Sequence, residues 1–308
     1  MPRKSNRRNH MRKYRIGEVS KMLDVPVETI RFLEQKGLVS PEKNAENGYR
    51  YYNIWHVNQI LEYKKYRQIG FNSKEAVSLV NGCSLEALID QFEDKKKDAS
   101  YLAHYYQAKA LKLNNFQEVL SSAEKLVGNY YIMNRPENYS LFFGSYDEKE
   151  LHVSYAHETE GGFDELTRHY PFVEHTFRIR QSDFLASTAN IEVQWGFTVK
   201  KRWVDRLRIQ LYPQMEHFRS VPSIFTFVRV LQKQFVTASL LQGIFDFMHE
   251  HGYELNGDIT LTYIATVNEN GQNVRYMEVW TPIKDAYNVC KFLTSEDSER
   301  QTLEQIFS

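Results

Sequence analysis

The sequence predicts an α+β protein whose parts follow one another along the chain, and three patterns support this. The chain begins with short amphipathic helices that are joined by a tight turn. A long heptad pattern without proline follows, and after it strand-like and helical stretches alternate. At 308 residues the chain is long enough for two domains with cores of their own.

Residues 14–52 contain two stretches of helical spacing that are separated by Asp24-Val25-Pro26, which leaves room only for a tight turn. Two helices joined in this way form a helix-turn-helix, whose second helix can lie in a major groove. The spacing alone fits a two-helix corner of an ordinary globular domain equally well. The apolar faces consist of Ile16, Val19, Met22 and Leu23, then Val27, Ile30 and Leu33.

The second helix, about Val27 to Lys36, carries polar side chains off its apolar face, and Arg31 can reach a phosphate or a guanine edge. Asn47-Gly48 predicts a hairpin, hence a small wing in which Arg50 and Tyr52 contact phosphates while Tyr51 belongs to the core. A third helix over 54–68 and a fourth capped by Ser73 follow. The candidate DNA-binding residues are Tyr14, Val27, Glu28, Thr29, Arg31, Phe32, Arg50, Tyr52, Lys65, Arg67, Ser73 and Lys74.

The residue identities favour the DNA-binding interpretation. The segments I-G-E-V-S, V-P-V-E-T-I-R-F-L-E-Q-K-G-L-V, G-Y-R-Y-Y and Y-K-K-Y-R-Q-I-G-F-N-S-K-E-A resemble the winged-helix DNA-binding domain of the MerR family of transcription regulators. The family usually has an aromatic residue where Leu33 stands. The resemblance covers about the first quarter of the chain. It implies double-stranded promoter DNA as a partner, RNA polymerase as an indirect partner at the promoter, and activation by distortion of an overlong promoter spacer when an effector binds.

The charge distribution agrees with a polyanion binder. Residues 1–83 hold 16 Lys and Arg against 8 Asp and Glu, whereas the rest holds 23 against 31, so that a basic region precedes an acidic one. Residues 1–13 are basic without apolar periodicity, which predicts a disordered arm. This arm could contact DNA phosphates, and it could equally be a solvated or cloning-derived tail.

Several functional classes receive no support from the sequence. No run approaches the roughly 18 apolar residues of a membrane span, and no apolar segment follows the basic start, which predicts a cytoplasmic protein without a membrane partner. Cys83 and Cys290 are the only cysteines, so one chain cannot build a cysteine-rich metal or cluster site. We found no nucleophile elbow or phosphate loop and therefore predict no enzyme, no cofactor and no metal site.

Residues 84–128 have a period of seven without an interrupting proline, which predicts a coiled coil of about 60 Å at 1.5 Å per residue. A solitary helix cannot bury such a stripe. The resemblance implies an antiparallel pairing that makes a homodimer, and the alternative is a helix folded on its own C-terminal domain. Residues 129–139 are assigned to a linker. One heptad set is Leu85, Phe92, Ala99, Tyr106, Leu113, Leu120 and Val127, and the other is Leu88, Lys95, Leu102, Lys109, Phe116 and Ala123.

The stretch 140–283 shows the order strand-helix-strand-strand twice, and residues 284–308 form a tail whose role the sequence does not decide. Two such halves joined edge to edge leave a groove between them. The first copy comprises a strand at Ser140–Tyr146, a Gly161-Gly162 break, a helix at Phe163–Val173, and strands at Thr176–Asp183 and Ile191–Lys200. The second comprises a strand at Ser223–Val230, a helix at Gln234–His251, and strands at Asp258–Val267 and Asn273–Pro282.

This repeat order and the ending V-R-Y-M-E-V-W-T-P-I resemble the GyrI-like effector-binding domain of the multidrug-sensing MerR branch. The resemblance implies a winged helix-turn-helix, an antiparallel coiled-coil dimerisation helix and a duplicated βαββ effector domain. In that branch a buried acid faces cationic aromatic ligands. Glu278 matches one such acid, while Leu261 stands where the main glutamate is found. We therefore expect a neutral or weakly cationic aromatic effector.

A carboxylate in an apolar strand is costly unless it is paired or functional, which makes Glu278 notable. Alternation places it on one strand face with two aromatic residues, while Met277 and Val279 pack under the helices on the other. Most of the aromatic residues could instead be core, with Glu278 at a rim and paired to Arg275 or a lysine. The candidate effector-binding residues are Tyr146, Trp195, Phe197, Tyr263, Tyr276, Glu278 and Trp280.

The sequence thus predicts a ligand-responsive, sequence-specific DNA-binding regulator with a small aromatic or hydrophobic effector. Two alternatives stay open. The C-terminal domain could be a small-molecule hydrolase with Glu278 as general base, or the protein could compact DNA without any ligand.

Overall fold

A computed structural model of the chain describes residues 12–45, 48–146, 166–185, 191–232, 234 and 236–284. The chain divides into two compact units, residues 1–103 and 104–308, with the boundary inside the long helix. The predictions for Asn47, for the Gly161-Gly162 break, and for most of the N-terminal arm and the C-terminal tail lie outside the described residues.

The first unit consists mainly of short helices with a small antiparallel sheet of strand order β1-β3-β2. Its elements are β1 (Tyr14–Arg15), α1 (Ile16–Leu23), α2 (Val27–Gln35), β2 (Glu42–Lys43), β3 (Arg50–Tyr52), α3 (Ile54–Ile69), α4 (Ser73–Asn81) and the beginning of α5 (Leu85–Leu126). The predicted helix-turn-helix and wing strands are therefore present.

The turn between α1 and α2 is held by a lysine from another helix. Asp24 takes a left-handed backbone conformation with φ of 50°. The Lys64 ammonium on α3 donates to the carbonyl oxygens of Leu23, at 2.7 Å, and of Asp24, at 3.2 Å. These carbonyls end α1 and have no partner within it, so Lys64 satisfies them and fixes the entry to α2. Of the apolar faces predicted from the spacing, Val19, Leu23, Ile30 and Leu33 are buried, whereas Ile16 and Val27 are half-buried. Met22 is 49% exposed, so its predicted place on the buried face is wrong.

The cap of α4 lies one residue before its predicted position. The Asn72 side chain accepts from the backbone N–H groups of Lys74, at 2.9 Å, and of Glu75, at 3.0 Å. The Glu75 carboxylate accepts in return from the Asn72 N–H at 2.7 Å, which completes a capping box. Asparagine and serine both favour this position, and Asn72 takes it because its backbone is extended, while Ser73 is the first helical residue.

The second unit contains an eight-stranded sheet of order β4-β9-β11-β10-β6-β7-β5-β8. All the pairings between these strands are antiparallel. Its elements after α5 are β4 (Tyr131–Asn134), β5 (Asn138–Tyr146), β6 (Val173–Ile179), α6 (Gln181–Leu185), β7 (Val193–Lys200), α7 (Lys201–Leu207), β8 (Glu216–Phe218), β9 (Pro222–Leu231), a 3₁₀ turn (Ala238–Leu241), α8 (Gln242–His251), β10 (Ile259–Glu269) and β11 (Gln272–Pro282).

The predicted fold class is confirmed at the level of a mixed α+β chain with a helix-turn-helix, a long helix and an antiparallel sheet domain. The order β9-α8-β10-β11 follows the second predicted strand-helix-strand-strand unit. Strands β5, β6 and β7 follow the strands of the first, and β6 pairs with β10 where the two halves join.

Several predicted boundaries within the second unit are wrong. The helix predicted to reach Val173 ends earlier, because Val173 already begins β6, and the strand predicted to reach Asp183 ends at Ile179, before α6. The α-helix predicted from Gln234 begins at Gln242 after a 3₁₀ turn. The predicted linker 129–139 contains β4, which pairs with β9, and the first two residues of β5.

Helix α5 has an apolar face that packs within its own chain. From residue 104 onward, Ala108, Val119, Ala123 and Leu126 are buried against the second unit. The alternative of a helix folded on its own C-terminal domain is therefore correct for this part of α5.

A second apolar face of α5 is solvent-exposed in the single chain. Most of its residues come from the first predicted heptad set, and Leu102 comes from the second. We call them the exposed heptad stripe: Leu85 at 73%, Phe92 at 36%, Leu102 at 50%, Tyr106 at 62%, Leu113 at 55% and Leu120 at 38% exposure. Phe92 also contacts the rings of Tyr66 and Phe71, and Val127 of the first heptad set packs in the second unit. Leu102 and Leu113 nevertheless remain exposed, whereas Ala123 is buried.

Candidate nucleic-acid interface and effector site

The N-terminal part of α2 presents the polar side chains that the sequence predicted as the reader of DNA bases. Glu28 and Arg31 are exposed, and Val27 and Thr29 are half-buried between them and the core. Phe32 is half-buried and packs against the core, with the Lys36 ammonium 5.7 Å from its ring centroid. The face around Arg31 is therefore free to approach a groove, while Phe32 stabilises the helix beneath it.

The wing strand β3 is tied to α2 through one carboxylate. Glu34 on α2 accepts from the Tyr52 hydroxyl and forms an ion pair with Arg50, whose Nε lies 3.0 Å from Glu34 Oε2. Arg50 remains exposed. Glu34 thus sets the position of the wing arginine relative to the exposed face of α2.

The sequence prediction had the two wing tyrosines reversed. Tyr52 is fully buried and cannot contact a phosphate, whereas Tyr51, predicted as core, is half-buried. Successive residues of a strand point to opposite faces, so only one of the two can enter the core. Burial, together with the hydrogen bond to Glu34, raises the pKa of the Tyr52 hydroxyl above its ordinary value.

The remaining candidate DNA contacts are placed on the surface of the first unit, with exceptions. Lys65, Arg67 and Lys74 are exposed, although Arg67 also donates to the Phe71 carbonyl at 2.6 Å and so helps to end α3. Ser73 and Tyr14 are half-buried. Exposed cations therefore lie on α2, β3, α3 and α4.

Only three of the seven candidate effector residues lie on the sheet face of Glu278, counting Glu278 itself. Tyr276 and Trp280 lie in one apolar cluster, and Glu278 points to the same side because it is two residues from each along β11. Met277 and Val279 pack on the other face, in the cluster that contains Ile244 and Met248 of α8. The alternation of β11 thus has the predicted direction.

Strand register places the other four candidates away from Glu278, which corrects the predicted site. Residues that pair directly on neighbouring strands point to the same face of a sheet. Trp195 pairs with Phe177, Phe177 with Leu261, and Leu261 with Val279, so Trp195 lies on the α8 face. Phe197, two residues along the same strand, shares that side. Tyr263 pairs with Met277, and Tyr146 lies in the same cluster as Val279.

The face of Tyr276, Glu278 and Trp280 is closed, whereas the sequence predicted an aromatic cleft. Helix α5 covers it, with Val119 and Ala123 in the same apolar cluster as Trp280. All three predicted effector side chains are at most 4% exposed. The Tyr276 hydroxyl donates to Glu269 Oε1 at 2.6 Å. An effector can reach this face only if α5 or its neighbours move.

A cluster of charged groups is buried where α5 covers the sheet. Lys112 on α5 forms an ion pair with Glu174 on β6, and Lys200 on β7 lies near both Glu174 and Glu278. Lys112, Lys200 and Glu278 are 7%, 8% and 3% exposed, so solvent screens their interactions little. Arg202, the second residue of α7, interacts electrostatically with both carboxylates.

The two buried carboxyl groups are shifted in opposite directions. Burial raises the pKa of Glu278 above its ordinary value, although Lys200 opposes this. Burial also opposes ionisation of Glu174, but Lys112 and Lys200 outweigh it and hold the pKa of Glu174 below its ordinary value. Glu174 is therefore the ionised partner of the lysines, and Glu278 is the carboxyl group for which protonation is easier.

Sequence reasoning missed Glu174, Lys112 and Lys200. The signal for Glu174 was present in V-E-H-T-F-R-I, where Glu174, Thr176 and Arg178 recur at every second residue. The prediction of a helix up to Val173 concealed this period of two. Lys112 gave no such signal, because it lies outside both predicted heptad sets.

Within the described part of the chain, no helix is long and apolar enough to cross a membrane. The same residues contain no group of three or more His, Cys, Asp or Glu side chains arranged to hold a metal ion.

Comparison with known proteins gives a family match within the first unit. Residues 14–83 match the family described as MerR HTH family regulatory protein. The HTH-type transcriptional regulator CueR of Escherichia coli O157:H7 is 44% identical over 66 residues, which are 21% of this chain and 49% of that protein. The chain thus spans about half the length of such curated relatives. Both findings support a MerR-type helix-turn-helix in residues 14–83.

Two longer matches have lower identity. The mercuric resistance operon regulatory protein of Bacillus cereus is 28% identical over 114 residues, which are 37% of this chain and 77% of that protein. The match to a chain in a cryo-electron microscopy structure of an EcmrR–DNA complex covers 88% of this chain and 99% of that chain. The sequence identity is 16% and the TM-score is 0.33.

Proposed function

We propose that this chain, whose residues 14–83 are of the MerR helix-turn-helix type, is a transcription regulator that binds double-stranded promoter DNA as a homodimer. The observation that carries the proposal is the unit of α2 and the wing, in which Glu34 ties the wing arginine to the helix. Arg31 and Arg50 are both exposed on this unit. A helix that carries base-reading side chains beside a phosphate-binding arm is the arrangement that reads a major groove.

The exposed heptad stripe of α5 supports the dimer. A run of large apolar side chains at seven-residue spacing along one helix is the pattern that pairs with a second helix. Its residues are exposed in the single chain, and a second copy of the chain provides an identical stripe. An antiparallel pairing of the two copies of α5 is therefore proposed.

The second unit is proposed to bind a small effector and to transmit this event to promoter DNA, where RNA polymerase acts. Support comes from α5, which is continuous from the first unit and covers the sheet face that carries Glu174 and Glu278. A ligand that displaces or tightens this contact acts directly on the helix. The proposed location is the cytoplasm, where promoter DNA is accessible.

The hydrolase alternative finds no support in this geometry. A general base must lie within hydrogen-bond reach of a substrate, and Glu278 is buried beneath α5.

Replacement of Arg31 or Arg50 by alanine is expected to weaken binding to DNA fragments selected by the wild-type chain. The expected loss is about 1–3 kcal/mol for Arg31 if it makes a bidentate base contact. Replacement of Arg50 should weaken binding less. It should also reduce the salt dependence of binding, because a phosphate contact releases counterions and the variant lacks this contact. Fluorescence anisotropy at several salt concentrations measures both effects.

The matched control is Lys97→Ala, an exposed lysine on α5 that pairs with Asp94 outside the helix-turn-helix. It should bind as the wild type does. Wild-type affinity of both arginine variants at physiological salt would contradict the proposed interface.

A further inference from the structure

A cavity of about 580 Å³ lies between α5 and α7 in the second unit. This volume is within the range of small-molecule sites, roughly 300–1,000 Å³. The cavity lies at the end of the buried charge cluster, because Arg202 belongs to both. Its lining consists of Leu111 and Asn115 from α5, and Arg202, Trp203, Asp205 and Arg206 from α7.

Two buried donors in the lining have no hydrogen-bond partner within the described part of the chain. They are the indole Nε1 of Trp203 and the Nε of Arg202. Trp203 is only 3% exposed, so bulk water does not take the place of a partner. Buried donors are almost always satisfied in folded proteins, which makes two neighbouring exceptions in one cavity a sign of a missing acceptor.

The charges around the cavity favour an anion. Asp205, the one acidic residue of the lining, is paired with Lys201 at 3.3 Å. Arg206 is exposed and has no ion pair among the residues that the structure describes. The cavity therefore has two guanidinium groups and one carboxylate that already has a partner.

The buried cluster adds to this imbalance. Lys112, Lys200 and Arg202 face two carboxyl groups, Glu174 and Glu278. One positive charge is in excess even when both carboxyl groups are ionised. Arg202 is the member of the cluster that lines the cavity, so an anion there would compensate the excess.

We propose that this cavity binds a small organic anion, a carboxylate or a phosphate ester on an apolar body. Arg202 and Arg206 hold the anionic group, because guanidinium groups bind carboxylates and phosphates with paired hydrogen bonds. Leu111 contacts the apolar body, and the Trp203 indole donates to an acceptor atom of the ligand. The inference rests on the proposed function, for which it specifies the chemical class of the effector as anionic rather than neutral or weakly cationic.

The site would couple a ligand to the long helix without opening the sheet face of Glu278. Leu111 and Asn115 are on α5, on either side of Lys112, which is paired with Glu174. A ligand held between α7 and these two residues therefore clamps α5 at the point where it is already tied to the sheet.

Isothermal titration calorimetry on the full chain tests the proposal with four probes of one shape. They are 2-naphthoate, 2-naphthyl phosphate, the neutral 2-naphthamide and the cationic 2-naphthylmethylammonium. At least one anion is expected to bind about tenfold or more tightly than the amide, equivalent to about 1.4 kcal/mol. A preference between the two anions identifies the carboxylate or the phosphate ester as the natural group.

Arg206→Ala should weaken binding of the preferred anion about tenfold, and it should fold normally because Arg206 is exposed. The matched control is Arg219→Ala, an exposed arginine outside the lining, which should leave binding unchanged. Equal or tighter binding of the amide or the cation, no binding of either anion at millimolar concentration, or unchanged binding by Arg206→Ala would each overturn the inference. DNA binding is measured in parallel: its presence without anion binding refutes only the anionic effector, and its absence from the wild type refutes the proposed function.

Discussion

Glu174→Gln is expected to destabilise the second unit by about 3–5 kcal/mol, the cost of leaving a buried charge without its partner. Lys112 is 7% exposed, and Glu174 is its ion-pair partner. Glutamine keeps the shape of the side chain but removes its negative charge, so Lys112 and Lys200 lose their main compensation. Urea denaturation monitored by tryptophan fluorescence measures the loss of stability, because three of the four tryptophans belong to the second unit.

Glu278→Gln is the matched control, because it makes the same chemical change in the same cluster. Burial already raises the pKa of Glu278 and favours its protonated form, which glutamine resembles. The loss of stability should therefore be much smaller than for Glu174→Gln. Equal losses for the two variants, or a larger loss for Glu278→Gln, would contradict the assignment of Glu174 as the ionised partner.

The contributions of Glu174 and Glu278 to folding stability are expected to depend on pH in opposite directions. The folded-state pKa of Glu174 is lowered, so its stabilisation is present above the unfolded-state pKa and is lost as pH falls through the folded-state pKa. The folded-state pKa of Glu278 is raised, so its contribution declines as pH rises above the unfolded-state value. Glu278→Gln should therefore gain stability relative to the wild type as pH increases from that value.

The second large effect is expected from Leu102→Asp combined with Leu113→Asp, which should convert the dimer to folded monomers. Both side chains are exposed in the single chain, at 50% and 55%, so the substitutions should not damage the fold of one subunit. In the proposed dimer they would bury unpaired charges at about 3–5 kcal/mol each. Sedimentation velocity measures the oligomeric state, and circular dichroism reports whether the helices remain.

Gln107→Asp combined with Asn114→Asp is the control for added negative charge, since both positions are exposed and polar on the same helix. This variant should remain dimeric. A stable dimer from the leucine double variant would exclude the exposed heptad stripe as the dimer interface.

The local features of the first unit could be predicted from the sequence because helical spacing and turn residues determine them. The buried positions of Ile30 and Leu33 follow from a period of 3.6 residues. The choice between Tyr51 and Tyr52 could not be made, because two adjacent tyrosines give no alternation and the deciding contact is with Glu34 on another element.

In the second unit, less could be predicted from the sequence, because more of the structure depends on contacts between distant residues. Alternation within β11 was sufficient to separate Met277 from Glu278. Placing Trp195 required the register of four strands, which depends on pairings between residues distant in the sequence. The covering of Glu278 by α5 likewise could not be predicted, because one heptad helix can pack on its own domain, on a second copy, or on both through different faces.

The most direct measurement is selection of bound fragments from random double-stranded DNA by the full chain, followed by footprinting of the best fragment. A dimer with one helix-turn-helix per subunit should protect two half-sites related by two-fold symmetry. Arg31→Ala should relax the sequence preference within each half-site. Enrichment of no sequence, or protection of a single unpaired half-site by the wild-type chain, would contradict the account of a dimeric, sequence-specific regulator.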